Sequence, residues 1–349
     1  MAIRVLVVDD SFFMRKLISN ILTSDEIKVV GTAQNGLEAI EKLKKLKPDV
    51  ITLDVEMPIL DGLATLREIM EKYPTPVIMV SSHTANEAQI TIQAFELGAV
   101  DNIEKPRSQL WDDMSKIQQE LIDKVKTASQ ISVKSISQHN RGTSSFQSTL
   151  STSKNPPSYI VVIGASTGGP RTLMELFSYL PQDSGAAFLI VQHMASGFTA
   201  ALAKHLSSIS QIPIQEVIHE TSIYQNCGYL ATGGKHMVLK KSNEKYKVGL
   251  EDGETYLGVK PAIDILMKSV AQNVQSTLIG VVLTGMGKDG TLGLKYIKAG
   301  GGITFAQDAA SCIVYGMPRS AVESKVVDFQ ETIPQMADKI VRIIKNKCD

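Results

Sequence analysis

Three side chains able to perform acyl transfer follow apolar segments in the C-terminal part of this 349-residue sequence, beyond residue 158. Ser166 lies in the pattern G-x-S-x-G, where small neighbours permit a tight strand-to-helix turn that exposes the hydroxyl. His193 and Asp289 each come after a later apolar run. A hydroxyl, an imidazole and a carboxylate in one crevice can act as nucleophile, base and orienting acid. This set of residues indicates acyl-transfer chemistry.

The glycine-rich stretch around Ser166 also permits other interpretations. Ser166 could cap the following helix, or the turn could bind a nucleotide or a partner in a non-catalytic signalling module. A dinucleotide fold is disfavoured, because G-x-G-x-x-G is absent and Gln192 and His193 stand where the ribose-binding acid is expected. The usual α/β-hydrolase order of serine, acid and histidine is not followed either, since His193 precedes Asp289. The location of Ser166 in the turn after an apolar segment favours its role as a nucleophile, with histidine and acid following in an unusual order along the chain.

Short apolar segments that predict parallel strands must position these residues. If the strands belong to one wound sheet, the loops that follow them open on the same edge. Asp308 follows the last of these segments and competes with Asp289 for the role of the acid, and periodicity does not choose between them. The four segments are 159–163, 187–191, 277–284 and 302–306.

Polar side chains also follow strand-like segments in the first part of the chain. Asp9 and Asp10 come after the first segment, Asp54 after the third, Ser81 after the fourth and Lys105 after the fifth. Because β-branched runs alternate there with helical patterns, we predict an α/β domain of the flavodoxin-like type with five parallel strands. The strand segments are 3–8, 28–33, 49–53, 76–80 and 99–103, and residues 35–47 show helical spacing.

Three of these residues predict a metal site. In the flavodoxin-like order the first and third strands are neighbours, so Asp9, Asp10 and Asp54 should converge beyond the carboxyl ends of those strands. Three carboxylates would repel one another unless a hard cation joined them, and Mg²⁺ prefers carboxylates together with water and phosphoryl oxygens.

The composition disfavours several classes of protein. Lys plus Arg and Asp plus Glu are equal at 36 each, which gives no overall attraction to nucleic acid. Apolar runs are far shorter than a membrane span and the N-terminus shows no secretion signal, so we expect no membrane insertion. Three widely spaced cysteines form neither a metal pattern nor a disulfide framework, which fits a cytoplasmic protein.

One change in composition divides the chain. Residues 127–157 hold thirteen Ser or Thr and not one Asp or Glu. Such a stretch buries too little apolar surface to offset its ordering entropy, which predicts a flexible linker. We therefore expect one domain at 1–126 and a second at 158–349.

The first domain resembles a known family. VVDDS, LDVEMPILDG, MVSS and EKP, in this order, are similar to the receiver domain of bacterial two-component response regulators. The resemblance implies that Asp54 is the phosphoacceptor and that Asp9 and Asp10 complete its Mg²⁺ site. It also implies that Ser81 senses the phosphoryl group, that Lys105 pairs with it, and that a chemotaxis histidine kinase is the phosphodonor.

The whole chain resembles a second family. IGASTGGP, QHM, TGMGKDG and YGMP, behind a receiver and a polar linker, are similar to the chemotaxis protein-glutamate methylesterase family. This implies a triad of Ser166, His193 and Asp289, with an oxyanion hole formed by the Met286 backbone N–H and groups around Thr167. The implied substrates are glutamate γ-methyl esters on cytoplasmic helices of methylated chemoreceptors, with deamidation of receptor glutamines as a second activity. We expect a monomer controlled by phosphorylation, with Mg²⁺ in the receiver and no cofactor in the esterase site.

Overall fold

The alternation of buried strands and amphipathic helices builds two α/β units, 1–140 and 141–349. The structure is a computed structural model and describes residues 2–82, 84–105, 111–131, 155–242, 245–274 and 277–345. Within the described residues, no helix is long and apolar enough to cross a membrane.

The N-terminal unit contains a five-stranded parallel sheet with the strand order β2-β1-β3-β4-β5. Its central strands are buried along their length, because helices cover both faces of such a sheet. The adjacent pairing of β1 with β3 confirms the predicted flavodoxin-like order. The strands are β1 (Ile3–Val8), β2 (Ile27–Ala33), β3 (Val50–Asp54), β4 (Val77–Ser81) and β5 (Asp101–Glu104).

Polar side chains start the helices of this unit. Ser11, Asn35, Asp61 and Thr84 each accept a hydrogen bond from a backbone N–H in the first turn, which satisfies a donor that the helix leaves unpaired. The helices are α1 (Phe12–Leu22), α2 (Gly36–Leu46), α3 (Gly62–Lys72), α4 (Ala85–Leu97) and α5 (Trp111–Ala128).

The predicted linker is only partly described. Helix α5 ends at Ala128, so the first two residues of the predicted linker, Thr127 and Ala128, belong to the helix. Residues 132–154 lie outside the described residues, so flexibility of the linker 127–157 stays a prediction.

The C-terminal unit is built on a seven-stranded sheet with the order β15-β14-β13-β6-β7-β10-β8, in which every neighbouring pair is parallel. The four predicted segments are β6, β7, β13 and β14, so their following loops do share one edge. The strands are β6 (Tyr159–Ala165), β7 (Ala186–Gln192), β8 (Ile214–Val217), β10 (Cys227–Ala231), β13 (Leu278–Val282), β14 (Ile303–Gln307) and β15 (Phe329–Glu331).

A small antiparallel sheet, absent from the sequence prediction, accompanies this large one. It has the order β11-β12-β9, with β9 (Thr221–Ser222), β11 (His236–Ser242) and β12 (Lys245–Glu251). The helices of the unit are α6 (Gly169–Tyr179), α7 (Phe198–Ile209), α8 (Ile263–Asn273), α9 (Thr291–Ala299), α10 (Met317–Glu323) and α11 (Ile333–Lys345).

The direction of winding reverses beside β6. From β6 the chain proceeds to β7 on one side, and β13 later returns to pair with β6 on the other side. Ligands of open parallel sheets bind beyond the carboxyl ends of the strands at such a switch point. The fold therefore places the turn after β6, with Ser166, at the position where a crevice is expected.

Candidate functional sites

The turn between β6 and α6 holds Ser166 against the end of the neighbouring strand. The Ser166 N–H donates to the Thr284 carbonyl at 3.0 Å, and the Gly169 N–H donates to the Ser166 carbonyl at 2.7 Å. Gly168, at φ +75°, adopts the left-handed conformation that glycine accepts without steric cost. These contacts give the strand, tight turn and helix that the G-x-S-x-G pattern predicts.

Gly285 packs directly on the serine. A Cβ at Gly285 would lie 2.6 Å from the Ser166 Cβ and 2.6 Å from the Met317 Sδ, so no other residue fits without a shift. Met286 follows Gly285 and has a side chain that is 43% exposed, whereas Thr167 is buried and accepts a hydrogen bond from the Thr284 hydroxyl at 3.0 Å. The two residues expected near an oxyanion hole therefore flank Ser166 from two loops.

His193 and Asp289 form a buried pair. The His193 Nε2 lies 2.9 Å from the Asp289 Oδ2, and the two side chains are only 9% and 4% exposed. Because a carboxylate can only accept, Nε2 carries the ring proton and Nδ1 is the nitrogen left to act as a base. No hydrogen bond joins the Ser166 hydroxyl to the imidazole in the described part of the chain. Such contacts often tighten only when substrate is bound.

Backbone donors hold the carboxylate of Asp289 in place. Its Oδ2 accepts from the Ile263 N–H at 2.7 Å, and its Oδ1 accepts from the N–H groups of Asp264 at 2.9 Å and Gly290 at 3.0 Å. Burial favours the neutral acid, but the hydrogen bond and charge of His193 and these backbone donors outweigh it and lower the pKa of Asp289. The carboxylate is thus kept ionised and oriented toward the imidazole.

Asp308, the competing acid, lies in a different environment. Its carboxylate accepts hydrogen bonds from the N–H groups of Ala310 at 3.2 Å and Ser311 at 3.3 Å, and from the Ser311 hydroxyl. Asp308 therefore stabilises its own turn after β14, whereas Asp289 contacts the histidine.

Gln192 supports the nucleophile and the base together, a role that was not predicted. Its side chain is buried, and Nε2 donates to the carbonyl of Ser166 at 2.9 Å and to that of His193 at 3.1 Å. The amide links the two turns that carry the candidate nucleophile and base. The only signal in the sequence is its position directly before His193.

Asp264 is a second supporting residue outside the prediction. Its Oδ1 accepts from the N–H groups of Gly290 at 2.9 Å and Gly293 at 2.6 Å, and its Oδ2 accepts from the Tyr256 hydroxyl at 3.2 Å. Burial, followed by the charge of Asp289, raises the pKa of Asp264 against these hydrogen bonds. Asp264 thereby caps α9 while Asp289 caps α8, two helices whose own N-cap residues provide no side-chain hydrogen bond.

The predicted acidic cluster of the N-terminal unit also forms. One carboxylate oxygen from each of Asp9, Asp10 and Asp54 lies within 4.8 Å of the others. The Lys105 Nζ lies 2.7 Å from the Asp54 Oδ1 and 3.1 Å from the Asp9 Oδ2. Ser81, the last residue of β4, is fully buried. The five predicted side chains therefore lie at the carboxyl edge of one sheet.

The donor set of this cluster fits a hard cation. In the described residues the buried Asp54 Oδ2 and Ser81 Oγ have no hydrogen-bond partner. Buried polar atoms without partners are unfavourable unless a ligand or ion satisfies them. Asp9, Asp10 and Asp54 could hold Mg²⁺, and Ser81 and Lys105 could contact a phosphoryl group attached to Asp54.

The burial of Asp54 has an energetic consequence. Burial, together with the charge of Asp9, outweighs the hydrogen bond from Lys105 and raises the pKa of Asp54 to about 6. Relative to the unfolded chain, this raised value favours folding at low pH. The contribution is lost as the pH rises through about 6. At neutral pH the ionised Asp54 therefore destabilises the fold until a cation or a phosphoryl group changes its surroundings.

Comparisons with known proteins agree with this architecture. Residues 161–340 match the family model described as CheB methylesterase, and residues 5–115 match the model of the response regulator receiver domain. The chain therefore belongs to the CheB methylesterase family and carries a receiver domain.

Two relatives illustrate how far the likeness extends. Proteins from Geobacillus kaustophilus (strain HTA426) and Bacillus subtilis (strain 168), both named protein-glutamate methylesterase/protein-glutamine glutaminase, are 41% identical to this chain. The matches cover 98% and 99% of this chain and 99% of each relative. The crystal structure of the Thermotoga maritima CheB methylesterase catalytic domain superposes with a TM-score of 0.52 at 37% identity, over 53% of this chain and 98% of that domain.

Replacing Asp54 with Asn should stabilise the protein. The neutral amide removes the cost of a buried carboxylate, and we expect the free energy of unfolding at pH 7 without Mg²⁺ to rise by about 1–3 kcal/mol. Thermal unfolding measured between pH 5 and 8 should show that this gain shrinks toward pH 5. Asp25→Asn, at an exposed site, should leave stability unchanged. A loss of stability in Asp54→Asn at pH 7 would contradict the electrostatic account.

Replacing Asp289 with Asn should slow reactions at Ser166 by roughly 10³–10⁴-fold, because a misplaced imidazole tautomer disables the base. Asp308→Asn should change the rate by less than about twofold, since that carboxylate only supports its own turn. The rate of Ser166 labelling by a fluorophosphonate measures both effects. The reverse ranking would show that the acid has been assigned to the wrong aspartate.

Proposed function

We propose that this chain is a phosphorylation-activated serine hydrolase that demethylates glutamate γ-methyl esters on the cytoplasmic helices of chemoreceptors. Deamidation of receptor glutamines is a second reaction of the same site, because an amide and an ester pass through the same kind of tetrahedral intermediate. The observation that carries the proposal is the buried His193–Asp289 pair beside the Ser166 turn at the switch point of the sheet. The names of the relatives support the choice of substrate.

The side chains divide the chemistry as follows. The Ser166 Oγ attacks the ester carbonyl while the His193 Nδ1 takes the hydroxyl proton, and Asp289 stabilises the imidazolium that forms. Collapse of the tetrahedral intermediate breaks the bond to the methoxy group, which leaves as methanol with the proton from His193. Water then attacks the acyl-serine with the same imidazole as base, releasing glutamate and restoring Ser166.

Charge that develops on the carbonyl oxygen needs donors near Ser166. We assign this role to the backbone N–H of Met286, with groups around Thr167 as the second contributor. Support comes from the packing of Gly285 on Ser166, which brings the next peptide of that loop close to the nucleophile. Preorganised donors of this kind are commonly the largest single contribution to catalysis.

The receiver domain supplies the control. Asp54 is the phosphoacceptor, with a chemotaxis histidine kinase as the donor. Bound Mg²⁺ would neutralise the charge of the carboxylates and of the transferred group. Asp9, Asp10 and Asp54 would hold the cation, and Lys105 and Ser81 would contact the phosphoryl oxygens. A phosphoryl group can shift an equilibrium only between two states of the protein that it contacts differently. If phosphorylation activates the enzyme, the unphosphorylated receiver must favour the state in which hydrolysis is restrained.

Ser166→Ala should abolish release of methanol from methylated receptor fragments while leaving thermal stability unchanged, because only a hydroxyl is lost. His193→Ala should have nearly the same effect, since members of a triad act as a unit. Ser178→Ala, at an exposed position on α6, is the matched control and should retain the parent rate. Normal methanol release by Ser166→Ala would refute the assignment of the nucleophile, and absence of fluorophosphonate labelling in the parent chain would favour a non-catalytic signalling module.

Phosphorylation should raise the activity of the full chain. A fragment beginning near Pro157 should release methanol faster than the unphosphorylated full chain, because the restraining receiver is missing. Asp54→Asn in the full chain should retain basal activity but fail to respond to a phosphodonor in the presence of Mg²⁺. Equal rates for the fragment and the full chain, with no response to phosphodonor, would contradict control by the receiver.

A further inference from the structure

A two-residue turn beside the candidate active site has an unexpected residue at its tip. Tyr256 and Val259 exchange two backbone hydrogen bonds of 3.0 Å, and the residues between them have positive φ, +52° at Leu257 and +82° at Gly258. These angles are typical of a type I′ turn, whose first central position favours Asn, Asp or Gly. Leucine is disfavoured there, because its Cβ crowds the backbone in the left-handed conformation.

Burial does not compensate for this strain. The Leu257 side chain is 50% exposed, so it gains only part of the hydrophobic stabilisation available to a core leucine. Strained backbone of this kind commonly occurs at functional sites. Neither the turn nor the core of this unit accounts for a leucine at this position.

The turn is fixed to the carboxylates of the active site. The Tyr256 hydroxyl donates to the Asp264 Oδ2 at 3.2 Å, and the Asp264 N–H donates to the Asp289 Oδ1 at 2.9 Å. Asp289 in turn contacts His193, so a chain of three hydrogen bonds joins Tyr256, the residue before Leu257, to the candidate base.

A buried histidine holds the two sides of this loop together. The His236 Nε2 lies 2.9 Å from the Glu254 carbonyl oxygen, and the Ala262 N–H donates to the His236 Nδ1 at 3.2 Å. The Lys260 Nζ also donates to the Gly253 carbonyl at 2.7 Å. These hydrogen bonds hold the loop that carries Leu257 in place.

Other exposed apolar side chains occur on the elements around this site. Leu292 and Tyr296 are 41% and 37% exposed and lie one turn apart on α9, the helix whose first N–H groups bind Asp264. Met286, beside Ser166, is 43% exposed. Exposed apolar side chains of this kind contribute nothing to the hydrolysis of a small ester, but they are available to contact the polypeptide that carries one.

We propose that Leu257 is a specificity-determining residue that contacts the apolar face of the receptor helix that carries the scissile ester. This inference rests on the proposed function. Leu257 would improve binding of the macromolecular substrate without taking part in the chemistry, so its loss should raise KM and leave the reactivity of Ser166 unchanged.

Leu257→Asn separates this role from a structural one, because Asn relieves the backbone strain and removes the apolar contact. We expect the midpoint of thermal unfolding to rise by about 2–4 °C while kcat/KM on a methylated receptor fragment falls roughly fivefold to tenfold through KM. Fluorophosphonate labelling of Ser166 should keep the parent rate. Leu257→Ala should show a similar fall in receptor kcat/KM without the gain in thermal stability. Leu257→Met should keep both the kcat/KM and the thermal stability of the parent.

Lys325→Asn is the matched control, since Lys325 is also exposed at positive φ, +56°, in the same unit. It should raise stability without affecting turnover of receptor. The proposal would be overturned if Leu257→Asn kept its receptor kcat/KM within twofold of the parent value. It would also be overturned if Ser166 labelling fell as much as receptor kcat/KM, because the substitution would then have disturbed the fold of the active site. Failure of the proposed function would be seen separately, as absent receptor turnover by a parent chain whose Ser166 still labels.

Discussion

The carboxylate of Asp289 is the contact on which the candidate active site depends. It accepts hydrogen bonds from His193 and from three backbone N–H groups at the starts of α8 and α9. Each donor favours the ionised form, so one group caps a helix, orients the imidazole and supplies the negative charge that stabilises an imidazolium. Asp264 repeats the arrangement for α9, and through Tyr256 it joins the loop of Leu257 to the same network.

Buried carboxylates are used in opposite ways in the two units. Against its burial, the hydrogen bond and charge of His193 together with backbone donors lower the pKa of Asp289. Burial and the neighbouring Asp9 raise the pKa of Asp54 to about 6 despite the ion pair with Lys105. Asp289 is therefore satisfied within the fold and needs no ligand. Asp54 stays electrostatically unfavourable at neutral pH, which suits a residue whose proposed task is to change its state when a cation and a phosphoryl group arrive.

Much of this organisation could be predicted from the sequence, because apolar runs mark the strands and polar residues mark their ends. The five strands of the first unit and four strands of the second unit follow the predicted segments closely. Periodicity did not choose between Asp289 and Asp308, since both follow strands; the family resemblance implied Asp289, and the folded contacts distinguish the two residues. Gln192 was marked only by its position before His193, and Asp264 and Tyr256 had no signal, because their roles depend on hydrogen bonds that only the folded chain brings together. The short strands β8, β10 and β15 and the antiparallel sheet were missed for a different reason, because they lack long apolar runs.

Asp289 holds His193 with its proton on Nε2, which leaves Nδ1 as the base for Ser166. Nitrogen-15 NMR of the full chain labelled at histidine tests this directly, because protonated and unprotonated ring nitrogens have well-separated chemical shifts. His193→Gln assigns the signals of the residue. At a pH where the ring is neutral, the account predicts a protonated Nε2 and an unprotonated Nδ1, with this preference lost in Asp289→Asn. A proton on Nδ1 in the parent chain, or a tautomer unaffected by Asp289→Asn, would contradict the account.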